Sequence, residues 1–221
     1  QLPGSCAIGH NRYSTTGLPI IRNIQPFFAD LHLGGISIAH NGNLTNAEKL
    51  RNSLIATGSL FQSTTDTEAI IHLVARSHQS APKDRLAEAL MQVSGAYALV
   101  AVVEGCLIGV RDPLGIRPLV MGTIGDATIL ASETCALDII GADYVRDIDP
   151  GEMVIISKDG VSSVRLTEAQ PSRFCIFEYI YFSRPDSIIY NESVHEMRVA
   201  MGRMLAKMDP VEADIVIPIP D

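Results

Sequence analysis

Apolar residues recur along this chain with two periods, and the change from one to the other organises it. Residues 47–56 and 66–77 carry helical spacing, the second placing Ala69, Ile70, Leu73 and Val74 on one face, and a third helix is expected over 85–93. The first two follow Thr45-x-x-Glu48 and Thr65-x-x-Glu68, the spacing of a capping box. Ahead of them, "SCAIGH" and "GGISIAH" predict strands. From residue 96 the period shortens. "AYALVAVV", "CLIGVR", "RPLVMG" and "TILAS" are short apolar runs punctuated by Glu-Gly, Asp-Pro-Leu-Gly and Gly-Asp turns, the pattern of an antiparallel meander. A short helix over 133–140 precedes "GEMVIIS" and "VSSVRL", which the Lys158-Asp159-Gly160 turn joins as a hairpin. Strands this apolar have no face to give to water. The expectation is an α+β sandwich of three or four layers, with helices on one side of a sheet and a second sheet on the other, ending near residue 168.

Beyond it, a linker with Pro171 leads to the aromatic-rich "FCIFEYIYFSRPDS" and a helix over 193–208. There Val194, Met197, Met201, Met204, Leu205 and Met208 form one apolar stripe, expected to be core. "ADIVIPIPD" then reads as a buried strand. The chain therefore divides into a unit over 1–168 and the linker and start of a second α/β domain over 169–221.

Composition narrows the function classes. A content of 47% hydrophobic and 19% charged residues suffices for a sizeable core. The net charge of −8, with no clustering of the 17 Lys and Arg residues, argues against nucleic acid and anionic membranes as partners. The most apolar stretch, "AYALVAVVEGCLIGV", is interrupted at Glu104-Gly105 short of a membrane span, and "QLPGSC" lacks the pattern of a leader. Cys6, Cys106, Cys135 and Cys175 are widely separated, which fits reduced thiols and a cytoplasmic setting better than a disulfide framework or zinc site.

Small polar ligands remain, and three short stretches carry the relevant chemistry. In "SIAHNGNLTNAEKL", Asn41-Gly42 has the composition of a hairpin turn, but a helix start follows it instead of a strand. That places an amide side chain and a backbone N–H at a strand-to-helix junction. "GHNRYSTTG" sets Arg12 beside Ser14, Thr15 and Thr16, donors suited to a carboxylate; an ordinary ion pair is the alternative. Asp66 opens a helix, where the macrodipole favours a carboxylate; a simple N-terminal cap is the alternative. "RDPLGIRPL" has the residues of a tight turn.

Taken together and in order, "GHNRYSTTG", "AHNGNLTNA", "FQSTTDTE", "RDPLGIRPL", "ASETCALDIIGA" and "CIFEYIYFSRPDS" resemble the amidophosphoribosyltransferase family over essentially the whole chain. The resemblance implies an N-terminal-nucleophile αββα glutamine amidotransferase sandwich followed by a type I phosphoribosyltransferase domain. It implies glutamine hydrolysis to ammonia, which displaces pyrophosphate from phosphoribosyl pyrophosphate to give phosphoribosylamine, the opening of purine biosynthesis. By the same resemblance Asn41 and Gly42 form an oxyanion hole, Arg12 and Thr15 hold the glutamine α-carboxylate, and Asp66 holds its α-ammonium. Cys175 stands in a context that in some members ligates a [4Fe–4S] cluster, Mg²⁺ belongs to the phosphoribosyltransferase part, purine nucleotides act as feedback inhibitors, and a homo-oligomer is expected. The family's nucleophile is an N-terminal Cys, absent at Gln1; Cys6, inside an apolar segment with no α-amine beside it, is no substitute. The chain is therefore expected to be a fragment without glutaminase turnover of its own. The alternatives are a sugar-phosphate aminating amidotransferase and a non-catalytic glutamine-binding module.

Overall fold

Alternation along β3 (Gly95–Val103) explains how so apolar a strand can be satisfied on both faces. In the structure, a computed structural model that describes residues 4–11, 20–32, 34–168 and 170–218, β3 lies inside a six-stranded antiparallel sheet. Its other strands are β1 (Phe27–Leu31), β2 (Gly34–Leu44), β4 (Cys106–Arg111), β8 (Glu152–Ser157) and β9 (Gly160–Arg165), in the order β1-β2-β3-β4-β8-β9. Leu99, Ala101 and Val103 face a core shared with Ile70, Val74 and Leu86 of the helices α1 (Ala47–Ala56), α2 (Thr67–Arg76) and α3 (Pro82–Leu90). Ala98 and Val100 face the other way, onto Leu119, Met121 and Ile148. Met121 belongs to a second antiparallel sheet made of β5 (Val120–Ile124), β6 (Ala127–Ala131) and β7 (Asp143–Asp147), in the order β6-β5-β7. The outer face of that sheet is covered by Leu137 of α4 (Thr134–Ile140). The result is four layers, helix–sheet–sheet–helix. Ile38, Leu99 and Ile108 are fully buried between the first two layers, each contributing about 1.5–3 kcal/mol.

Several expectations change. The apolar runs from residue 95 onward are not one meander: β3 and β4 join the first sheet, β5 and β6 the second, so the turn after Arg111 carries the chain from one sheet to the other. Neither β1, although four of its five residues are apolar, nor β7 was expected from the sequence, whereas residues 5–10 carry no strand. α3 begins at Pro82, three residues before its expected start, because proline is well suited to a first helical turn. Neither capping box forms. The Asn46 side chain bridges instead to Gln92 O and Ser94 N, both at 2.9 Å, and Glu68 accepts from the Gln62 and Ser63 N–H groups, both at 2.7 Å. A distant loop has taken up Asn46, and the loop just before α2 has taken up Glu68, in place of the local caps.

After residue 170 the chain forms a π-helical turn over Glu178–Phe182, a small hairpin of β10 (Ile188–Ile189) and β11 (Glu192–Ser193), and α5 (Val194–Met208). Only the first half of the α5 stripe is core: Val194 is fully buried and Met197 and Met201 pack beside it, but Met204, Leu205 and Met208 are exposed. Residues 213–218 are irregular and exposed instead of a buried strand, because no neighbouring strand lies beside them among the described residues.

Candidate active-site cleft

Strand β2 outruns its neighbour. β1 accompanies it only to Ile38, whereas β3 pairs with it from Ile36 to Leu44. The last part of β2 thus has a free edge whose N–H groups need partners. His40 N–H donates to Gln25 Oε1 at 2.7 Å, and Leu44 N–H donates to Asp66 Oδ2 at 2.9 Å. By the two-residue alternation of an antiparallel strand, the Gly42 N–H lies on the same edge, between those two. A cleft of about 1010 Å³ opens there, lined by Asn41, Gly42, Asp66, Arg117, Cys175 and Phe182 among others. Asn41-Gly42 is therefore inside a strand and not at its end; the strand-to-helix junction comes later, between Leu44 and Ala47.

Gly42 is required by geometry. Its φ of +147° is one that L side chains rarely adopt, and a Cβ there would stand 2.0 Å from the Ala96 carbonyl oxygen of β3.

The Asn41 side chain is oriented by a cation. Arg117 Nη2 donates to Asn41 Oδ1 at 3.1 Å. A guanidinium has only donors, so the amide oxygen must face it, and the NH₂ end is turned away. Arg117 in turn pairs with Glu178 Oε1 at 2.8 Å and lies over the Phe182 ring at 4.8 Å. It is delivered by "RDPLGIRPL", a turn organised by the fully buried Asp112. That carboxylate accepts from the N–H groups of Leu114 and Ile116, both at 2.9 Å, and of Arg117 and Tyr97, both at 3.3 Å. Burial nevertheless pushes its pKa up, against those four donors. Arg111 ties the turn down by donating to the carbonyls of Arg117, Gly115 and Ile148.

Asp66 precedes α2 but makes no side-chain cap bond; its carboxylate reaches β2 instead. Oδ1 lies 3.7 Å from His40 Nδ1. Burial alone would raise the Asp66 pKa, but the His40 ring and the Leu44 N–H outweigh it and hold the carboxyl below the ordinary value. His40 is 4% exposed, and its Nε2 has no hydrogen-bond partner among the described residues. Because the folded pKa of Asp66 is lowered, its stabilisation is complete above about pH 4, the ordinary Asp value, and is lost as pH falls through the depressed one. Asp66→Asn is accordingly expected to flatten the acid limb of the stability–pH curve, followed by urea unfolding between about pH 2 and 5; a limb as steep as the parent's would remove Asp66 from that linkage.

Of the residues singled out in the sequence, Asn41, Gly42, Asp66 and Cys175 meet at one cleft, although they are separated by up to 134 positions. Arg12 and Thr15 lie outside the described residues; Gly9, His10 and Asn11, immediately before them, line the cleft. His40, Arg117 and Glu178 were not singled out as site residues, although each lies in a motif that carries the family resemblance. The nearest hint was Asp112-Pro113, a buried-turn pattern five residues before Arg117. Cys175 comes with no ligand set: among the described residues no three His, Cys, Asp or Glu side chains gather to hold a metal. The Cys6 thiol is pushed up in pKa by burial and then by Cys106, which keeps it protonated.

Two antiparallel sheets between helices, with a cleft at a free strand edge beside a buried carboxylate, define a four-layer α+β sandwich domain. More narrowly, the chain belongs to the glutamine amidotransferase domain family, whose model matches residues 10–138. It is 52% identical along its whole length to an amidophosphoribosyltransferase of Rhizobium etli and 45% identical to that of Bacillus subtilis, spanning 46% and 47% of those proteins. The chain thus spans about half the length of the curated relatives it matches. Its fold superposes, with a TM-score of 0.87 at 44% identity, on the glutamine phosphoribosylpyrophosphate amidotransferase of B. subtilis complexed with ADP and GMP, covering 93% of this chain and 44% of that one. A second solved structure, described as the allosteric regulatory enzyme of purine biosynthesis, gives 0.88 at 45% identity, with the same coverage. The glutamine amidotransferase fold expected from the sequence is thereby confirmed. No helix among the described residues is long and apolar enough to cross a membrane.

Proposed function

We propose that this chain is the glutamine-hydrolysing part of an amidophosphoribosyltransferase, with residues 1–168 as the amidotransferase domain and 169–221 as a linker and the start of a type I phosphoribosyltransferase domain. The observation that carries this is the convergence of Asn41, Gly42 and Asp66 on one cleft in a chain 45–52% identical over its length to such enzymes. Glutamine is zwitterionic and needs one fixed anion and one fixed cation. Asp66 receives the α-ammonium: its Oδ2 is engaged by Leu44, and Oδ1 keeps acceptor capacity. Arg12, with Thr15, takes the α-carboxylate. Attack by a nucleophile on the side-chain amide carbon places negative charge on the amide oxygen. The Asn41 NH₂ and the Gly42 N–H stabilise that charge until the C–N bond breaks, the proton given up by the nucleophile passing to the departing nitrogen so that ammonia leaves, and water then hydrolyses the acyl intermediate to glutamate. Ammonia then displaces pyrophosphate at C1 of phosphoribosyl pyrophosphate in the rest of the protein. Purine nucleotides as regulators, a homo-oligomer, Mg²⁺ and a [4Fe–4S] cluster belong to the same proposal for the whole protein. Cys175 would be one cluster ligand at most, since no group of three His, Cys, Asp or Glu side chains gathers among the described residues, and no step is routed through it.

The test is a comparison of two nitrogen donors in the whole protein. Asp66→Asn removes a charge-assisted contact worth about 1.5–3 kcal/mol, so kcat/KM for glutamine should fall roughly 10- to 100-fold, mainly through KM, and much more than the rate with added ammonia. Equal loss with both donors would make Asp66 a structural residue and sink the reading.

A further inference from the structure

The pair Arg117–Glu178 connects the amidotransferase cleft to the segment that follows the sandwich. Arg117 touches Asn41 on one side and Glu178 on the other, with Nη2 donating to Asn41 Oδ1 at 3.1 Å and Nη1 at 2.8 Å from Glu178 Oε1. The guanidinium is rigid and planar, so fixing one edge on Glu178 fixes the direction in which the other nitrogen meets Asn41. Glu178 is itself immobilised: 2% exposed, it accepts from Ser183 Oγ at 2.7 Å. Phe182, from the same turn, lies over the guanidinium. Among the described residues, Arg117 is therefore held from the far side by Glu178 and Phe182, with Ser183 holding Glu178. Those residues follow the sandwich in sequence.

We infer that Arg117 is a positioning residue that sets the rotamer and flip of the Asn41 amide, and that seating of the Glu178–Phe182 turn thereby sets the competence of the oxyanion donor. With Arg117 in place the oxygen of Asn41 is bound and its NH₂ is presented to the cleft. When Arg117 withdraws, the amide is free to turn its oxygen toward the developing negative charge, which repels it. A displacement of the turn is thus converted into a change in transition-state stabilisation, with no change in the groups that bind glutamine. This inference rests on the oxyanion role proposed for Asn41.

The test is a double-mutant cycle in the whole protein, with Arg117→Met, Arg117→Lys, Glu178→Gln and Asn41→Ala. Arg117→Met is expected to lower kcat for glutamine about 10- to 100-fold with KM within about twofold, and to lower the ratio of glutamine-dependent to ammonia-dependent rate by the same factor. In the Asn41→Ala background it should cost less than threefold further, because the amide it orients is gone. Glu178→Gln, which keeps shape but weakens the hold on Arg117, should give a smaller drop of the same kind. Arg117→Lys keeps the charge but not the fork; it should also lower kcat, and it decides the matter if the Met variant does not fold. Additive effects of Arg117 and Asn41, or a normal kcat in Arg117→Lys, would overturn the inference. If Asn41→Ala alone left kcat unchanged, the oxyanion assignment itself would fail, a result distinct from failure of the positioning role.

Discussion

In the whole protein, Asn41→Ala is expected to lower kcat for glutamine by roughly two to three orders of magnitude, with KM within about twofold, because an oxyanion contact of the kind proposed strengthens only as charge develops on the substrate oxygen. The ground-state contacts proposed for glutamine, at Asp66, Arg12 and Thr15, are untouched by the substitution, which is why binding should persist. The cost to folding should be modest: Asn41 lies within β2, and the side-chain bond it loses is one partly buried, charge-assisted contact with Arg117, worth at most about 1.5–3 kcal/mol. The competing expectation treats Asn41 as a residue needed for backbone conformation. It predicts a lower melting midpoint and near-normal turnover per folded molecule. Glutamine kinetics, ammonia-dependent kinetics and thermal unfolding on one preparation distinguish them, and a destabilised enzyme with normal kcat would overturn the oxyanion role.

Gly42→Ala is the substitution expected to damage the fold most. The new methyl would approach the Ala96 carbonyl carbon to 2.8 Å as well as its oxygen to 2.0 Å, and both atoms are backbone, so no side chain can swing aside. Strand β3 would have to move, and β3 also holds the core between the helices and the second sheet. Strain at positive φ of about 1–3 kcal/mol and overpacking of a similar size together give a loss on the order of 4 kcal/mol. For a chain of this size that is a fall in melting midpoint on the order of 10 °C. Gly202→Ala is the control: Gly202 sits within α5 with open space where its Cβ would go, so the same change should raise stability by about 0.5–1 kcal/mol. A Gly42→Ala variant as stable as the parent would show that β2 and β3 are not in the close register described.

Much of this architecture was legible in consecutive residues. α1, β4 and the β8–β9 hairpin follow directly from local spacing, since each is defined by which neighbours three, four or two positions away are apolar. The capping boxes were misleading for an equally physical reason. Glu68 and Asn46 found backbone N–H and carbonyl partners in loops beyond their own helix starts, and those loop groups have no ladder partners of their own. The α5 stripe was misleading in the opposite sense: periodicity identifies an apolar face, but only the presence of something to pack against makes it core.

Periodicity in the chain was sufficient for most of the helices, the central strands and the two-faced burial of β3, and short motifs with their family resemblance for the candidacy of Asn41, Gly42, Asp66 and Cys175, since those depend on residue type and near neighbours. Pairing register created the rest. β1 stops at Ile38 while β3 continues, and that mismatch leaves Gly42 N–H on an open edge; the crossing from the first sheet to the second brings Arg117 to Asn41, 76 positions away. Such contacts are invisible in local pattern because an Arg facing solvent and an Arg orienting an amide have the same neighbours in sequence, and only the packed arrangement of strands distinguishes them.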